Sequence, residues 1–384
     1  MMPPTAHDVL EMAGEQVLTA ARLRWPGAQV VPGPVTPSVT SYVQLLDVDG
    51  RLLYAKVSVC GVSLVSVLRG ACGDLATVRA RQAAYLASPG SLMAREAAQL
   101  RTLAGPAALG TVPLAEYAGG VLFTAPVPGP TLADLMEAEP GRTGELLGLV
   151  VRDVAEGLAR DGVAAAVDQG QIRERGIGDT FARKFNGLSG LLYLRQTGYG
   201  DVLDGVVIRL RRARRARPLP GVRGVVFGDL KPEHAVFPDG GSGRPVYLDP
   251  GLMRGHAVAD IAKLVSRTVL GLIGLPPGSD TVPVILAGLD SFVRATARRL
   301  PAAEREAWLR ELVLLALMDA TCILTTYLTA PADLPLSPHA AAIRARAHEV
   351  TRLLDRATAP LLAAQDGPTL WRLYLTCTRK AVPA

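Results

Sequence analysis

Val225-Val-Phe-Gly-Asp-Leu-Lys-Pro-Glu-His-Ala-Val-Phe237 is the stretch from which the fold can be read. Apolar β-formers at its two ends read as short strands, and Gly-Asp-Leu-Lys-Pro between them reads as a tight loop. Asp229 stands on that loop, and His234 comes five residues later. A second acid, Asp249, comes in Tyr247-Leu-Asp-Pro-Gly251, at the end of a third short strand. Groups held on strand ends can meet in one cleft. Phosphoryl transfer needs that arrangement: one carboxylate positions a hydroxyl and takes its proton, and another holds the Mg2+ that bridges nucleotide phosphates.

Gly228-Asp229-Leu230-Lys231-Pro232 resembles the catalytic loop of the aminoglycoside phosphotransferase and choline kinase-like superfamily, where His-Gly-Asp is followed by a metal-binding Asn and, further on, a metal-binding Asp. Asp260, in Ala259-Asp-Ile-Ala-Lys-Leu264, is similar to the structural Asp that opens the next helix in that superfamily. The resemblance implies a bilobal, protein kinase-like α+β fold that uses ATP and Mg2+, with Asp229 as catalytic base and Asp249 as metal ligand. Two positions depart from it. Phe227 stands where His is usual, which bears on the packing under the loop, and His234 stands where the metal-binding Asn belongs. A neutral imidazole ligates divalent ions, but Mg2+ prefers hard oxygen, so His234 as a ligand implies a weaker second site, one metal only, or tolerance of Mn2+. A loop histidine without metal is the competing reading.

Upstream of this loop, Lys56 in Tyr54-Ala-Lys-Val57 stands where the superfamily's phosphate-pairing lysine belongs, and Glu96 in Arg95-Glu-Ala-Ala-Gln-Leu100 looks like its helix partner. A lysine buried under phosphates needs a fixed carboxylate. The competing readings are a solvated strand lysine and an exposed first-turn acid favoured by the helix dipole. The segment from Gly33 to Thr40, with Ser38 in it, occupies the phosphate-covering turn but lacks the glycine pattern of protein kinases. Val121 to Leu132 resembles the hinge, where the backbone at Thr124, Ala125 and Val127 would meet the adenine edge. Lys231 completes the nucleotide-binding set. Lysine occurs only at 56, 184, 231, 263 and 380, and three of these five lie in or beside the motifs.

The remaining pattern fits two lobes, residues 1–125 and 126–384. Ala6 to Arg24 has helical spacing and stops near Trp25-Pro26-Gly27. Ser41 to Val48 and Arg51 to Val59 form a hairpin around Asp49-Gly50, and Pro113 to Val127 forms another around Gly119-Gly120. Between them an apolar insertion, Cys60 to Gly90, precedes a helix over Ser91 to Leu103 that carries Glu96 near its start. Pro126, Pro128, Gly129 and Pro130 mark the lobe boundary. Beyond it lie helices over Thr131 to Glu137 and Thr143 to Leu158, an irregular stretch to Gly200, an arginine-rich helix to Arg217, and long amphipathic helices after Ala257.

At 384 residues, 49% of them hydrophobic and 20% charged, the chain can bury a sizeable core without staples. Cys60, Cys72, Cys322 and Cys377 include no CxxC pair and read as reduced thiols, not a zinc site or disulfide framework. The N-terminus is acidic and polar where a signal peptide would be basic and then apolar, and no apolar run reaches bilayer length without charges. A soluble cytoplasmic protein is the expectation. The net charge of +6 rests on arginine, which is poor evidence for a nucleic-acid partner. Arg209 to Arg217 reads either as a solvated helix face or as a docking surface for an acidic partner. Beyond Ser266 arginines at least match the acids, which disfavours a polycationic acceptor and leaves a hydroxyl on a neutral or acidic small molecule, such as a sugar, nucleoside or other secondary metabolite. A Ser/Thr of a precursor peptide, as in lanthipeptide pathways, is the alternative acceptor, and the insertion and the arginine-rich helix are the surfaces it would use. A pseudokinase scaffold holding a pathway partner is the alternative from another class.

Overall fold

The structure is a computed structural model, and it describes residues 2–104, 109–160, 162–169, 174–216, 223–363 and 366–383. Helix α1 (Ala6–Arg24) starts at a capping box, in which the Asp8 N–H donates to Thr5 Oγ1 (3.2 Å) and the Thr5 N–H donates to Asp8 Oδ2 (3.0 Å). Strands β1 (Val30–Thr36), β2 (Tyr42–Val48), β3 (Arg51–Val57), β4 (Leu114–Ala118) and β5 (Val121–Thr124) form one antiparallel sheet in the order β1-β2-β3-β5-β4. Asp49 and Gly50 both take positive φ, as a two-residue hairpin turn demands. Strand β1 corrects the sequence reading, which placed Gly33 to Thr36 in a phosphate-covering turn. Pro32 and Pro34 hide it, yet β1 is an edge strand with a register shift between Pro32 and Val35, where proline is tolerated.

The period of two along β3 sets the direction of Lys56. Leu53, Ala55 and Val57 are buried with the apolar face of α1, so Lys56 points to the opposite face. The insertion forms α2 (Leu64–Leu68) and α3 (Leu75–Leu86), and α4 (Leu92–Leu103) comes next. Met93, Ala97 and Leu100 of α4 pack with Val112 and Leu122 on the Lys56 side of the sheet. Leu122 is the cross-strand partner of Lys56.

The second lobe is helical: α5 (Leu132–Ala138), α6 (Thr143–Leu158), α7 (Val163–Asp168), α8 (Ile177–Lys184), α9 (Gly187–Arg195) and α10 (Gly200–Ala216), then α11 (Val258–Gly274), α12 (Thr281–Arg298), α13 (Ala302–Leu328), α14 (Pro338–Ala345), α15 (Ala347–Thr358) and α16 (Gly367–Ala381). Short strands β6 (Gly224–Val226), β7 (Ala235–Val236), β8 (Val246–Tyr247) and β9 (Met253–Gly255) interrupt them and pair β6 with β9 and β7 with β8. The stretch read as irregular before Gly200 holds α7, α8 and α9, each under ten residues and too short to show a clear period. Trp308, Tyr327, Trp371 and Tyr374 are core residues, as their helical spacing implied. All four cysteines are free thiols, with Cys72 and Cys322 buried and Cys60 and Cys377 half-buried.

The arginine-rich helix is neither a fully solvated face nor an open docking surface. Arg209 donates to Thr358 Oγ1 (2.9 Å) and Asp355 Oδ1 (2.5 Å), Arg211 to the Phe185 carbonyl, and Arg214 to Glu311. Arg212 and Arg215 remain exposed, and Arg217 lies outside the described residues. The insertion also leans on the helical lobe: the Arg69 guanidinium lies 4.4 Å from the Tyr193 ring centroid and donates to Gln196 Oε1 (2.5 Å).

Helix α13 is long and apolar enough to cross a bilayer, but 83% of that stretch is buried among the other helices, as in the central helix of a packed domain. One ion pair inside it is deeply buried. Arg267 of α11 donates to Asp319 Oδ2 (2.8 Å), and Ser266 Oγ donates to the same atom (2.6 Å), with both charged side chains under a tenth exposed. Removing one partner leaves an uncompensated buried charge. Asp319→Ala is expected to lower the unfolding free energy by about 3–5 kcal/mol in urea denaturation, and a loss below about 1 kcal/mol would show that water already reaches Arg267.

Candidate active site

The loop after β6 carries Asp229. Gly228 takes φ +81°, and a Cβ there would overlap the Gly251 carbonyl oxygen, so glycine is required at this close approach. The Gly251 N–H donates to the Phe227 carbonyl (2.8 Å), and the Asp260 carboxylate accepts from the N–H groups of Phe227 (2.8 Å) and Gly228 (2.7 Å). Asp260 lies in the first turn of α11, the helix the sequence resemblance had it open, and the structure adds that it holds the loop. Burial pushes its carboxyl up to about 6 against these two donors. Phe227 is fully buried, with its ring centroid 5.6 Å from that of Tyr247.

Asp249 comes after β8 in the left-handed region, at φ +51°, which a short polar side chain tolerates and which is common at functional turns. Its Oδ1 lies 2.9 Å from Lys56 Nζ. The same ammonium donates to Glu96 Oε1 (3.0 Å) and Oε2 (2.9 Å). Both competing readings of that pair fail, because Glu96 is buried in the second turn of α4 and Lys56 is not a solvated strand lysine. Burial opposes the charge on Lys56, but Asp249 and Glu96 outweigh it and hold the ammonium charged. Burial likewise opposes the Asp249 charge, and Lys56 overrides it, keeping that carboxyl well below the usual range. Glu96, which shares Lys56 with Asp249, is pushed upward by burial.

His234 lies between the two acids, with Nδ1 3.8 Å from Asp229 Oδ2 and Nε2 3.7 Å from Asp249 Oδ2. Burial and then Lys231 drive its pKa down to about 4, so the ring is neutral near pH 7. Its Nδ1 is buried without a hydrogen-bond partner, which does not fit a histidine satisfied by its own loop. A divalent ion implied by the fold would find one hard oxygen and one imidazole nitrogen here. That set suits an ion that takes its other ligands from phosphates and water. Groups of three or more metal-competent side chains are absent among the described residues.

Lys231 Nζ lies 2.9 Å from Asp229 Oδ2, and Lys263 Nζ bonds Asp229 Oδ1. Burial pushes the Asp229 carboxyl up, and Lys231 and Lys263 more than reverse this, leaving it well below the usual range. The Lys263 contact was missed from sequence, although its place one turn after Asp260 and the scarcity of lysine were both visible.

The other nucleotide-clamp positions are less closely joined. Ser38 accepts from the Thr40 and Ser41 N–H groups (3.2 and 3.4 Å), so its hydroxyl serves its own turn. Thr124 is paired in β5, and Ala125 donates its N–H to the Pro113 carbonyl (3.0 Å), which leaves only its carbonyl for a ligand. Val127, like Leu248, is partly buried against the small apolar cluster of Met93, Ala97, Leu100, Val112 and Leu122. Arg95 and Gln99 hold α4 against the second lobe: Arg95 bonds Glu174 (2.8 Å), and Gln99 Oε1 accepts the Leu252 N–H (2.7 Å).

No protein-family model matches the chain, and no curated protein matches it in sequence. Solved structures do match. A wild-type aminoglycoside 2'-phosphotransferase-IIIa in its GDP complex aligns over 88% of this chain and 97% of its own, at 14% identity and a TM-score of 0.50. A thermostable mutant of aminoglycoside phosphotransferase APH(4)-Ia aligns over 84% and 94%, at 18% identity and a TM-score of 0.46. Plasmodium vivax ethanolamine kinase aligns over 83% and 82%, at 9% identity and a TM-score of 0.44. At these identities the likeness is one of fold, and it rests on the first of the three: the chain has a bilobal α+β architecture similar to that of this aminoglycoside phosphotransferase.

Proposed function

We propose that the protein is a phosphotransferase that moves the terminal phosphoryl group of ATP to a hydroxyl of a neutral or acidic small molecule. One observation carries the reading: Lys56, held by Glu96 on one side and Asp249 on the other, faces a loop on which Asp229 and His234 stand within 4 Å of each other. A structural ion pair needs two groups. A cation shared between two carboxylates, beside an imidazole with one unpartnered nitrogen and a third acid, fits a site that takes a polyanionic ligand together with a divalent ion. The fold neighbour in complex with GDP gives the same direction, and whether this chain takes ATP or GTP is decided by supplying both.

In this mechanism Lys56 contacts the nucleotide phosphates, with Glu96 fixing its direction, and Lys231 adds a second ammonium on the Asp229 side. Asp249 and His234 would hold the divalent ion, Mg2+ or Mn2+, whose charge offsets that of the phosphates. Asp229 accepts a hydrogen bond from the acceptor hydroxyl, whose oxygen attacks the terminal phosphorus in line as the bond to the bridging oxygen of the nucleoside diphosphate breaks. The proton passes to Asp229 late, because two lysines make that carboxylate a weak base. Such timing suits a loose transition state, in which positioning outweighs proton abstraction. The lysines at Asp229 also favour an acceptor without a high positive charge, such as a sugar or nucleoside hydroxyl.

Incubation with Mg-ATP or Mg-GTP and a panel of hydroxyl acceptors, with detection by mass spectrometry, should reveal a phosphoryl adduct. Asp229→Asn should lower kcat by at least about 100-fold while nucleotide binding persists. Normal turnover by that variant would remove Asp229 from the mechanism. Metal-dependent ADP binding with no adduct on any acceptor would instead make the protein a nucleotide-binding scaffold.

His234 gives a separate prediction for stability against pH. The unfolded imidazole titrates near 6.5 and the folded one at about 4, so between these values the unfolded chain binds a proton that the folded chain does not. The stability due to neutral His234 is complete above pH 6.5 and is lost as pH falls toward 4. His234→Gln should reduce the fall in unfolding free energy between pH 7 and 4.5 by on the order of 2 kcal/mol, measured by denaturation at both values. Equal pH slopes in the two proteins would contradict this.

A further inference from the structure

We propose that Lys263 is the positioning residue for Asp229: its ammonium holds the carboxylate in the direction from which it meets the acceptor hydroxyl. The inference rests on the phosphotransferase reading and adds a residue to it.

The loop itself cannot orient its acid from position 227. Phe227 has no side-chain polar atom, and its ring is committed to the core against Tyr247, so it offers nothing to the carboxylate two residues later. The polar support comes from α11. Asp260 accepts from the N–H groups of Phe227 and Gly228, and Lys263, three residues on and on the same helical face, bonds Asp229 Oδ1. Two successive turns of one helix thus grip three successive residues of the loop, two by backbone and the third by side chain.

Two cations meet the Asp229 carboxylate, and they are not equivalent. Lys231 belongs to the loop itself, whereas Lys263 projects from α11, a helix buried along most of its length. Lys263 is therefore the contact that refers the carboxylate to a rigid element. Its side chain is only 15% exposed, which fits a fixed anchor better than a surface lysine. Deeper on the same helix, Arg267 is neutralised by Asp319, so it does not compete for Asp229 as a direct partner. With Oδ1 taken by the helix, the carboxylate cannot turn about its χ2 bond, and Oδ2 keeps its place near Lys231 and His234.

Steady-state hydrolysis of Mg-ATP, with water as acceptor, together with thermal stabilisation by Mg-ADP, tests this on the full chain. Lys263→Met keeps the apolar stem and removes the ammonium. It should lower kcat by about 10- to 100-fold, leave KM for ATP within about threefold, and preserve the Mg-ADP shift, because the contact is to the acid and not to the nucleotide. Lys263→Arg restores a charged donor and should recover kcat to within about fivefold of wild type. Should Lys263→Met fail to fold, Lys263→Gln against Lys263→Arg gives the same comparison. Unchanged kcat in the neutral variant, KM rising as far as kcat falls, or no recovery with arginine overturns the inference. Those results require a wild-type protein that binds and turns over nucleotide. A wild type that shows neither overturns the phosphotransferase reading itself, and this assignment with it.

Discussion

The cleft depends on one shared charge, the Lys56 ammonium between Glu96 and Asp249. Three separate segments must agree before that geometry exists. The β3 pleat has to turn Lys56 away from the α1 core, α4 has to present Glu96 in its second turn, and the chain after β8 has to take a left-handed step at Asp249. A buried ammonium with one carboxylate would be a closed pair. With two it is a junction between the sheet, a helix and the second lobe, and removing Lys56 would leave the buried Glu96 carboxylate without its partner. The small apolar cluster of Met93, Ala97, Leu100, Leu122, Val127 and Leu248 lies beneath this junction and brings the three segments together without polar cost.

The opposite wall of the cleft is organised by a different principle. There the backbone is held first and the side chains are placed by it. Gly228 makes the close approach to Gly251 feasible, Asp260 satisfies two loop N–H groups, and Lys231 and Lys263 take the two oxygens of Asp229. The outcome is an acid whose basicity is low and whose direction is well defined. For phosphoryl transfer through a loose transition state that is a workable exchange, since little proton abstraction is needed before the phosphorus–oxygen bond has largely broken.

Further ties between the lobes supplement the Lys56–Asp249 contact. Arg95 with Glu174, Gln99 with the Leu252 N–H, and Arg69 over Tyr193 each join sheet-lobe elements to the helical lobe, and the last involves the insertion between β3 and α4. The insertion is therefore more than a surface elaboration. Through Arg69, which follows α2, it leans on α9. Three arginines of α10, Arg209, Arg211 and Arg214, turn inward to Asp355, the Phe185 carbonyl and Glu311, so that much of a run that looks like a charged patch in sequence joins helices within the second lobe.

Local signals along the chain set the elements and the order of the chemical groups. Capping at Thr5, the Asp49-Gly50 turn, the period of two around Lys56 and the Gly-Asp-Leu-Lys-Pro loop each act over a few residues. Asp229, Asp249, Lys56, Glu96 and Asp260 were legible for that reason, and Lys56 and Glu96 stand in the pairing that their motifs implied. Strand β1 was obscured by its prolines, and α7 to α9 were too short to show a period. Apart from Lys56 with Glu96, which charges meet was settled by tertiary packing. That Lys263 reaches Asp229, that His234 falls between two acids with one nitrogen unpartnered, and that Arg214 turns inward to Glu311 depend on how helices far apart in the chain pack. A side chain's spacing along a helix fixes the face it occupies, but its partner is set by burial of apolar surface elsewhere, and no local signal in the sequence carries that choice.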